Sequence, residues 1–125
     1  MLQKLINQAQ SKPAELEGIL RAIEEAKTKL VRWQEIKTAW EMQHLIDVAK
    51  DKQFTNEQAR KAEVARRMKE TPDVVEADRK IAELKQEIAA HEVQAERVRL
   101  EVKAAITLLQ LAAAAVQAGN TQVLE

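Results

Sequence analysis

The second half of the chain repeats apolar residues at alternating spacings of three and four. Between Val74 and Val116 the only polar member of this repeat is His91. An average spacing of 3.5 residues keeps one stripe of an α-helix facing a neighbouring helix. The repeat therefore predicts a long coiled-coil helix over residues 72–118. Its members are Val74, Ala77, Ile81, Leu84, Ile88, His91, Ala95, Val98, Val102, Ala105, Leu109, Ala112 and Val116.

A second repeat of the same kind predicts a long helix over residues 13–51. Ser11 is the expected N-cap, and Pro13 falls in the first turn, where its missing N–H costs little. Residues 1–10 are expected to be a short amphipathic helix or a frayed arm. The members of the repeat are Leu16, Ile19, Ile23, Ala26, Leu30, Trp33, Lys37, Trp40 and His44, and the apolar face widens after Trp33 through Ile36, Leu45, Ile46, Val48 and Ala49. That width predicts contact with more than one neighbour.

Capping signals place the other boundaries. Thr55 and Gln58 fit a capping box, which predicts a short helix over residues 55–70. Thr71 is the expected N-cap of the last helix, with Pro72 at its first position.

Gly119 and Asn120 predict the end of the last helix, because glycine readily adopts the left-handed conformation just past a helix C-terminus. Residues 119–125 are then a tail.

The predicted fold is all-α and a single domain over residues 1–125. It is a long antiparallel coiled-coil hairpin with a short helix at the turn, and it is oligomeric. The periodicity leaves open whether the long helices pair within one chain or between chains. The residues expected at a partner or oligomer interface are Trp33, Trp40, Leu45, Val102, Leu109, Ala112 and Val116.

The composition excludes several classes of protein. Lys and Arg together number 20, as do Asp and Glu, so no net charge attracts nucleic acid or membranes. The absence of cysteine excludes disulfides and thiolate metal sites and suits a cytoplasmic protein. No phosphate loop or activated nucleophile is present, and Ser11 is the only serine. We therefore expect no enzyme activity, cofactor or small-molecule substrate.

The most apolar stretch, Ala104 to Ala118, is shorter than the roughly 20 residues that span a bilayer. It also contains Thr107, Gln110 and Gln117. We expect a buried helix end there and no membrane association.

The turn region is locally basic. Residues 50–70 carry a net charge of +3 on a neutral chain. Basic side chains at a helical turn can contact phosphates, and an aromatic ring can stack on a base. The alternative is a solvated helix whose charges maintain solubility. The candidate nucleic-acid residues are Lys52, Phe54, Arg60, Lys61, Arg66, Arg67 and Lys69.

Both histidines fall on the repeats, and each follows a glutamate on the same helix face. Glu41 and His44 form the E-x-x-H pair found in di-iron bundles, whereas Glu87 and His91 are four residues apart. Because a complete site needs two such motifs and two further glutamates, we expect no metal. Polar residues at these positions, Lys37 among them, more simply set helix register or oligomer state.

Two functions follow. A protein-interaction or scaffolding module would use the long apolar repeat and the wide face from Trp40 to Ala49 to receive a partner helix. A nucleic-acid-binding accessory protein would instead use the basic turn.

The segment Phe54-Thr55-Asn56-Glu57-Gln58-Ala59-Arg60-Lys61-Ala62, followed by Thr71-Pro72-Asp73 and a long heptad helix, resembles small helical proteins encoded by phages and prophages. Some of these lie beside recombination or replication genes. The resemblance covers roughly residues 50 to 110. It implies a role in DNA metabolism or host takeover and transfers no catalytic residue.

Overall fold

The protein is built from three α-helices in a computed structural model that describes residues 1–119. They are α1 (Leu2–Lys50), α2 (Glu57–Glu70) and α3 (Pro72–Gln117), and this part of the chain contains no strand. The all-α prediction is confirmed, and the contacts between helices are consistent with a hairpin. The contacts divide the chain into a terminal unit, made of Met1–Glu24 and α3 from Ala89 onward, and a central unit, Glu25–Ile88.

The prediction for the start of α1 is wrong. The helix begins at Leu2 and continues through Pro13 without a break, so residues 1–10 are not a separate arm and Ser11 is not an N-cap. Proline inside a helix removes one hydrogen bond and crowds the carbonyl four residues earlier. Packing overrides that cost, because Leu5, Ile6 and Ala9 before the proline are all partly buried.

The start of α2 also differs from the predicted capping box. Asn56, rather than Thr55, is the N-cap, and its side-chain oxygen accepts a hydrogen bond from the Ala59 N–H at 2.7 Å. The helix therefore spans Glu57–Glu70 instead of residues 55–70. Asparagine and threonine are both good N-caps, and the local sequence offered both.

Thr71 lies between α2 and α3, as predicted, but caps them in a different way. Its carbonyl oxygen accepts hydrogen bonds from the N–H groups of Val74 and Val75. Its hydroxyl points back into α2 and donates to the Arg67 carbonyl oxygen at 2.7 Å. The side chain thus satisfies the end of α2, whereas the sequence predicted that it would satisfy the start of α3.

The end of α3 agrees with the predicted stop. The helix ends at Gln117, and Gly119 has a positive φ of 83° while its N–H donates to the Val116 carbonyl. A side chain would strain this conformation, which explains the glycine. Asn120 and the rest of the predicted tail lie outside the described residues.

The central unit buries apolar residues from all three helices. Two polar contacts involve α1: His44 contacts Thr71, the residue just before α3, and Lys37 contacts Asp78 within α3. The earlier α1 residue, Lys37, contacts the later residue, Asp78, whereas the later α1 residue, His44, contacts the earlier one, Thr71. The two segments therefore run antiparallel here. The buried residues of this unit are Ala26, Val48, Val64, Val74, Ala77, Leu84 and Ile88.

The terminal unit is held by the predicted repeats of α1 and α3. Lys12 Nζ joins the two helices through Glu101, at 2.9 Å. Hydrogen bonds from Lys12 hold the pKa of the Glu101 carboxyl below its ordinary value. The buried residues are Ile19, Ile23, Ala95, Val98, Ala105 and Ala112, so the core of this unit consists only of repeat positions.

The expectation of a buried helix end is wrong for this chain on its own. Between Ala104 and Ala118 only Ala105 and Ala112 are buried. Leu111 is 60% exposed and Val116 is 42% exposed, because no other described segment covers this side of the helix. By length and composition, α3 is also the one described helix apolar enough to cross a membrane, and only 11% of its most apolar window is buried.

Candidate partner-binding groove

A groove with a cavity volume of about 640 Å³ opens on the surface of the central unit. We call it the central groove. All three helices contribute to it, and its apolar lining consists of Leu45, Val64, Ala65, Met68 and Val74. Leu45 is a large apolar residue, yet 41% of its surface is exposed. An exposed apolar surface of this kind, rimmed by charges, is typical of a protein-binding site.

The spacing of apolar residues in α2 explains its side of the groove. Met68 lies four residues after Val64 and three residues after Ala65, so both lie next to it on one side of the helix. Val64 is buried in the groove floor, whereas Ala65 is exposed. The short helix α2 therefore contributes one buried and one exposed apolar side chain to the groove.

Charged residues form the rim of the central groove. Lys37 Nζ and Asp78 pair across α1 and α3 at 2.7 Å, and Lys61 pairs with Glu57 at 3.3 Å. Glu41 on α1 and Lys69 on α2 also line the groove, and neither forms an ion pair with another residue of the described chain. One negative and one positive group are thus available to a ligand.

The predicted interface residues are distributed over several places. Leu45 lines the central groove, and Trp40 lines a second, shallower depression on α1 with Ile36, Ala39 and Gln43. Trp33 is half-buried. On α3, Ala112 is buried, Val102 and Leu109 are half-buried, and Val116 is 42% exposed.

The arginines of the predicted nucleic-acid surface are occupied within the protein. Arg66 bonds to Glu63 and to Glu70, and Arg67 Nε bonds to Glu63 at 2.9 Å. The hydrogen bonds from Arg66 and Arg67 lower the pKa of Glu63 to about 2. Arg67 also approaches Asp51, at 3.9 Å. Phosphate contacts would have to compete with these carboxylates.

The other predicted nucleic-acid residues are divided between structural contacts and solvent. Arg60 donates to the carbonyl oxygens of Phe54 and Thr55, and so holds the loop before α2. Phe54 itself is half-buried, which limits base stacking. Lys52 and Lys69 are exposed and make no ion pair within residues 1–119.

His44 has a structural contact rather than a metal-binding arrangement. Its Nε2 lies 2.8 Å from the Thr71 hydroxyl, and its ring is 5.7 Å from the Trp40 ring. Across residues 1–119, no three His, Asp or Glu side chains come together as metal ligands, so Glu41, His44, Glu87 and His91 do not form a common cluster. His44 and Lys37 both contact α3 or the junction before it, as expected of residues that set register.

Comparison with protein-family models, with curated proteins and with solved structures finds no match for this chain. The central groove must therefore be interpreted from its own chemistry. The sequence identified Leu45 as an interface residue but gave no sign that Met68 of α2 lies beside it in the groove. Their proximity depends on the packing of α1 against α2, which no local pattern encodes.

Proposed function

We propose that this protein is a non-enzymatic, coiled-coil hairpin module that binds an amphipathic helix of a partner protein in the central groove. The observation that carries the proposal is the open apolar lining of Leu45, Ala65 and Met68 between charged rims. Helix-binding grooves commonly accept apolar anchors at positions i, i+3 or i+4, and i+7. A groove of about 640 Å³ has room for two or three such side chains.

The unpaired rim charges support a partner of defined polarity. Glu41 lies on α1 and Lys69 on α2, so a bound helix can place a basic residue against one and an acidic residue against the other. Such pairs contribute more to orientation and specificity than to affinity. The partner is therefore an amphipathic helix with leucine-like anchors flanked by one basic and one acidic residue.

The test is selection of peptides that bind the full chain from a displayed library of 18-residue helix-forming sequences. We expect the selected peptides to be enriched in apolar residues at helical spacing. The affinity of one selected peptide is then measured by fluorescence anisotropy. Ala65→Glu should weaken binding at least about tenfold, because it places a charge in the apolar groove. Ala62→Glu is the matched control, because Ala62 is an exposed alanine of α2 that does not line the groove.

Two results would reject the proposal: no peptide enriched above background, or equal losses with Ala65→Glu and Ala62→Glu. Reversing both rim charges, with Glu41→Lys and Lys69→Glu together, should change the selected charge pattern and leave the apolar anchors unchanged.

Binding of the selected peptide also separates this proposal from the alternative function, nucleic-acid binding through the basic turn. Replacing Arg66 and Arg67 with glutamine should leave peptide affinity unchanged, because neither lines the groove. If the double variant instead removed salt-dependent binding to labelled DNA or RNA while the wild type bound no peptide, the basic turn would be the functional surface.

A further inference from the structure

In the terminal unit, α3 carries a second repeat on the side opposite its buried residues. We call this side the outer face. Each of its members follows a member of the repeat that contains Ala95 and Val98 by two residues, which is a rotation of about 200° around an α-helix. The members are spaced alternately by four and three residues, and they are Val93, Arg97, Leu100, Ala104, Thr107 and Leu111.

The outer face is open to solvent along its whole length. All six members are exposed, and the exposed fractions of Val93, Leu100 and Leu111 are 72%, 58% and 60%. Alternating spacings of three and four are those of a coiled-coil contact, so this side of α3 predicts a further helix packed against it. The rest of residues 1–119 does not supply that helix.

A line of four charged residues borders the outer face. Glu92, Glu96, Arg99 and Lys103 are separated by four, three and four residues, so they share one side of α3. Two acidic residues are followed by two basic ones, and like charges four residues apart disfavour an isolated helix. Glu96 and Arg99 approach to 3.6 Å, whereas Glu92 and Lys103 form no ion pair within residues 1–119. One negative and one positive group therefore remain for another molecule.

We propose that the outer face binds the outer face of a second copy of the chain, with the two α3 helices antiparallel. A two-fold axis perpendicular to the helices places Arg97 opposite Leu100 of the second copy, and Val93 opposite its Ala104. The two leucines pack against the apolar stems of the arginines, whose charged ends stay in water. Val93 meets only a small alanine side chain, so its own contribution to the contact is slight.

The bordering charges are complementary in this arrangement. Two antiparallel helices bring the same flank of each copy together, so the acidic half of the line lies along the basic half of the other line. Glu96 faces Lys103 of the second copy, and the symmetry repeats the pair. On the other flank, Arg97 lies level with Glu101 of the second copy. Within one chain Arg97 and Glu101 are only 3.7 Å apart, so neither needs to move far to form this pair.

The same charges disfavour the neighbouring arrangements. Sliding one helix by seven residues places Lys103 against Lys103 of the second copy, and sliding it the other way places Glu96 against Glu96. Parallel helices would bring the two Arg97 side chains together and set Glu96 beside Glu101 of the second copy. Because like charges placed opposite each other weaken an interface, the antiparallel register is the one that the charges select.

A membrane surface fits the outer face less well than a second copy does. A helix that lies on a bilayer presents basic residues around an apolar face. The outer face has carboxylates along its border, and Arg97 interrupts its apolar residues.

The first experiment measures the mass of the full chain by sedimentation equilibrium, at concentrations up to about 100 µM. The wild type should dimerise, and Leu100→Glu should weaken dimerisation at least about tenfold, because it places a charge in the apolar contact of both copies. Val75→Glu is the matched control, since Val75 is 54% exposed on the same helix but belongs to the central unit. Helical circular dichroism should be equal in all three proteins.

The second experiment exchanges charges between copies. Glu96→Lys alone and Lys103→Glu alone should each weaken dimerisation at least about fivefold, because each places like charges opposite each other. An equal mixture of the two variants should dimerise as the wild type does, since every chain then meets one of opposite charge. Both substitutions in one chain should also restore the dimer, and the differences between variants should shrink at high salt.

Three results would overturn the proposal: a wild type that is monomeric at every concentration, equal weakening by Leu100→Glu and Val75→Glu, or a mixture of the charge variants that stays monomeric. The outer face belongs to the terminal unit and does not depend on the proposed function of the central groove. Ala65→Glu should therefore leave the dimer intact, and failure of dimerisation and failure of peptide binding are separate results.

Flotation with phosphatidylcholine vesicles tests lipid as the occupant. The wild type should remain in the lipid-free fraction. Co-flotation of the wild type that is lost in Leu100→Glu would assign the outer face to lipid and reject self-association.

Discussion

His44 of α1 is hydrogen-bonded to Thr71, the residue that joins α2 to α3, with Nε2 and Oγ1 2.8 Å apart. The Thr71 hydroxyl uses its only proton to donate to the Arg67 carbonyl oxygen. It must therefore accept from His44, so the imidazole carries a proton on Nε2. A residue of the α1 repeat thus holds the junction between the other two helices.

Removing this link should destabilise the protein. Thr71→Val keeps the shape of the side chain but leaves the His44 N–H and the Arg67 carbonyl without their partner. We expect a loss of about 2 kcal/mol in the free energy of unfolding, measured in urea. Thr55→Val is the control, because Thr55 is exposed and its hydroxyl makes no hydrogen bond within the described chain. Equal stability of the two variants would contradict the structural role of the link.

The core positions of the repeat should be far more sensitive than exposed positions of the same helix. Val98 is fully buried and Val93 is 72% exposed, and both belong to α3. Val98→Ala should cost about 2 kcal/mol, because it removes two buried methyl groups and leaves a small cavity. Val93→Ala should stay within about 0.5 kcal/mol of the wild type. Similar costs at both positions would mean that α3 packs through a different face.

Stability should fall in acid because of the ion pairs around Glu63. Its pKa in the folded protein is about 2, well below the ordinary 4.5, because Arg66 and Arg67 bond to the carboxylate. A depressed folded pKa contributes stability above the unfolded value, and that contribution is lost as the pH falls from about 4.5 towards 2. Glu63→Gln should therefore flatten the decline in the urea midpoint between pH 6 and pH 2.5. An unchanged slope would show that other carboxylates govern acid unfolding.

Pro13 should weaken the first turns of α1. It provides no N–H for the carbonyl four residues earlier, although the helix continues on both sides. We expect amides of residues 2–12 to exchange hydrogen faster than those of residues 16–24, and Pro13→Ala to slow that exchange. The substitution should also stabilise the protein, by up to about 3 kcal/mol. If Pro13→Ala did not slow amide hydrogen exchange in residues 2–12, the proline would already be accommodated in α1 without strain.

Much of α3 could be predicted because one rule, the alternating spacing of three and four between apolar residues, describes the whole helix. The buried residues of α3 are all members of the repeat from Val74 to Ala112. Its predicted bounds, 72–118, differ from Pro72–Gln117 by one residue. Local capping chemistry placed the boundary at Thr71 and the stop at Gly119 correctly, although the Thr71 hydroxyl bonds back to α2 instead of capping α3.

Features that depend on contacts between distant segments could not be predicted in this way. Pro13 appeared to be a helix start because its local cost is large, and only packing against other residues keeps α1 continuous there. The central groove likewise depends on how α2 lies against Leu45, which is a matter of tertiary packing. The ion pairs of Arg66 and Arg67 are a different case, because Glu63 and Glu70 lie only three or four residues away on α2. That spacing is a local pattern, and the sequence analysis did not use it.

The contact between Lys12 and Glu101 bears on how the chain folds during synthesis. His44 and Thr71 are only 27 residues apart, so the central unit closes a short loop, whereas Lys12 must wait for a partner near the opposite end of the chain. Closing a longer loop costs more entropy and slows folding. On the ribosome, the first 24 residues therefore emerge long before the part of α3 that covers them. In that interval their apolar stripe is open to chaperones or to the same segment of a neighbouring nascent chain.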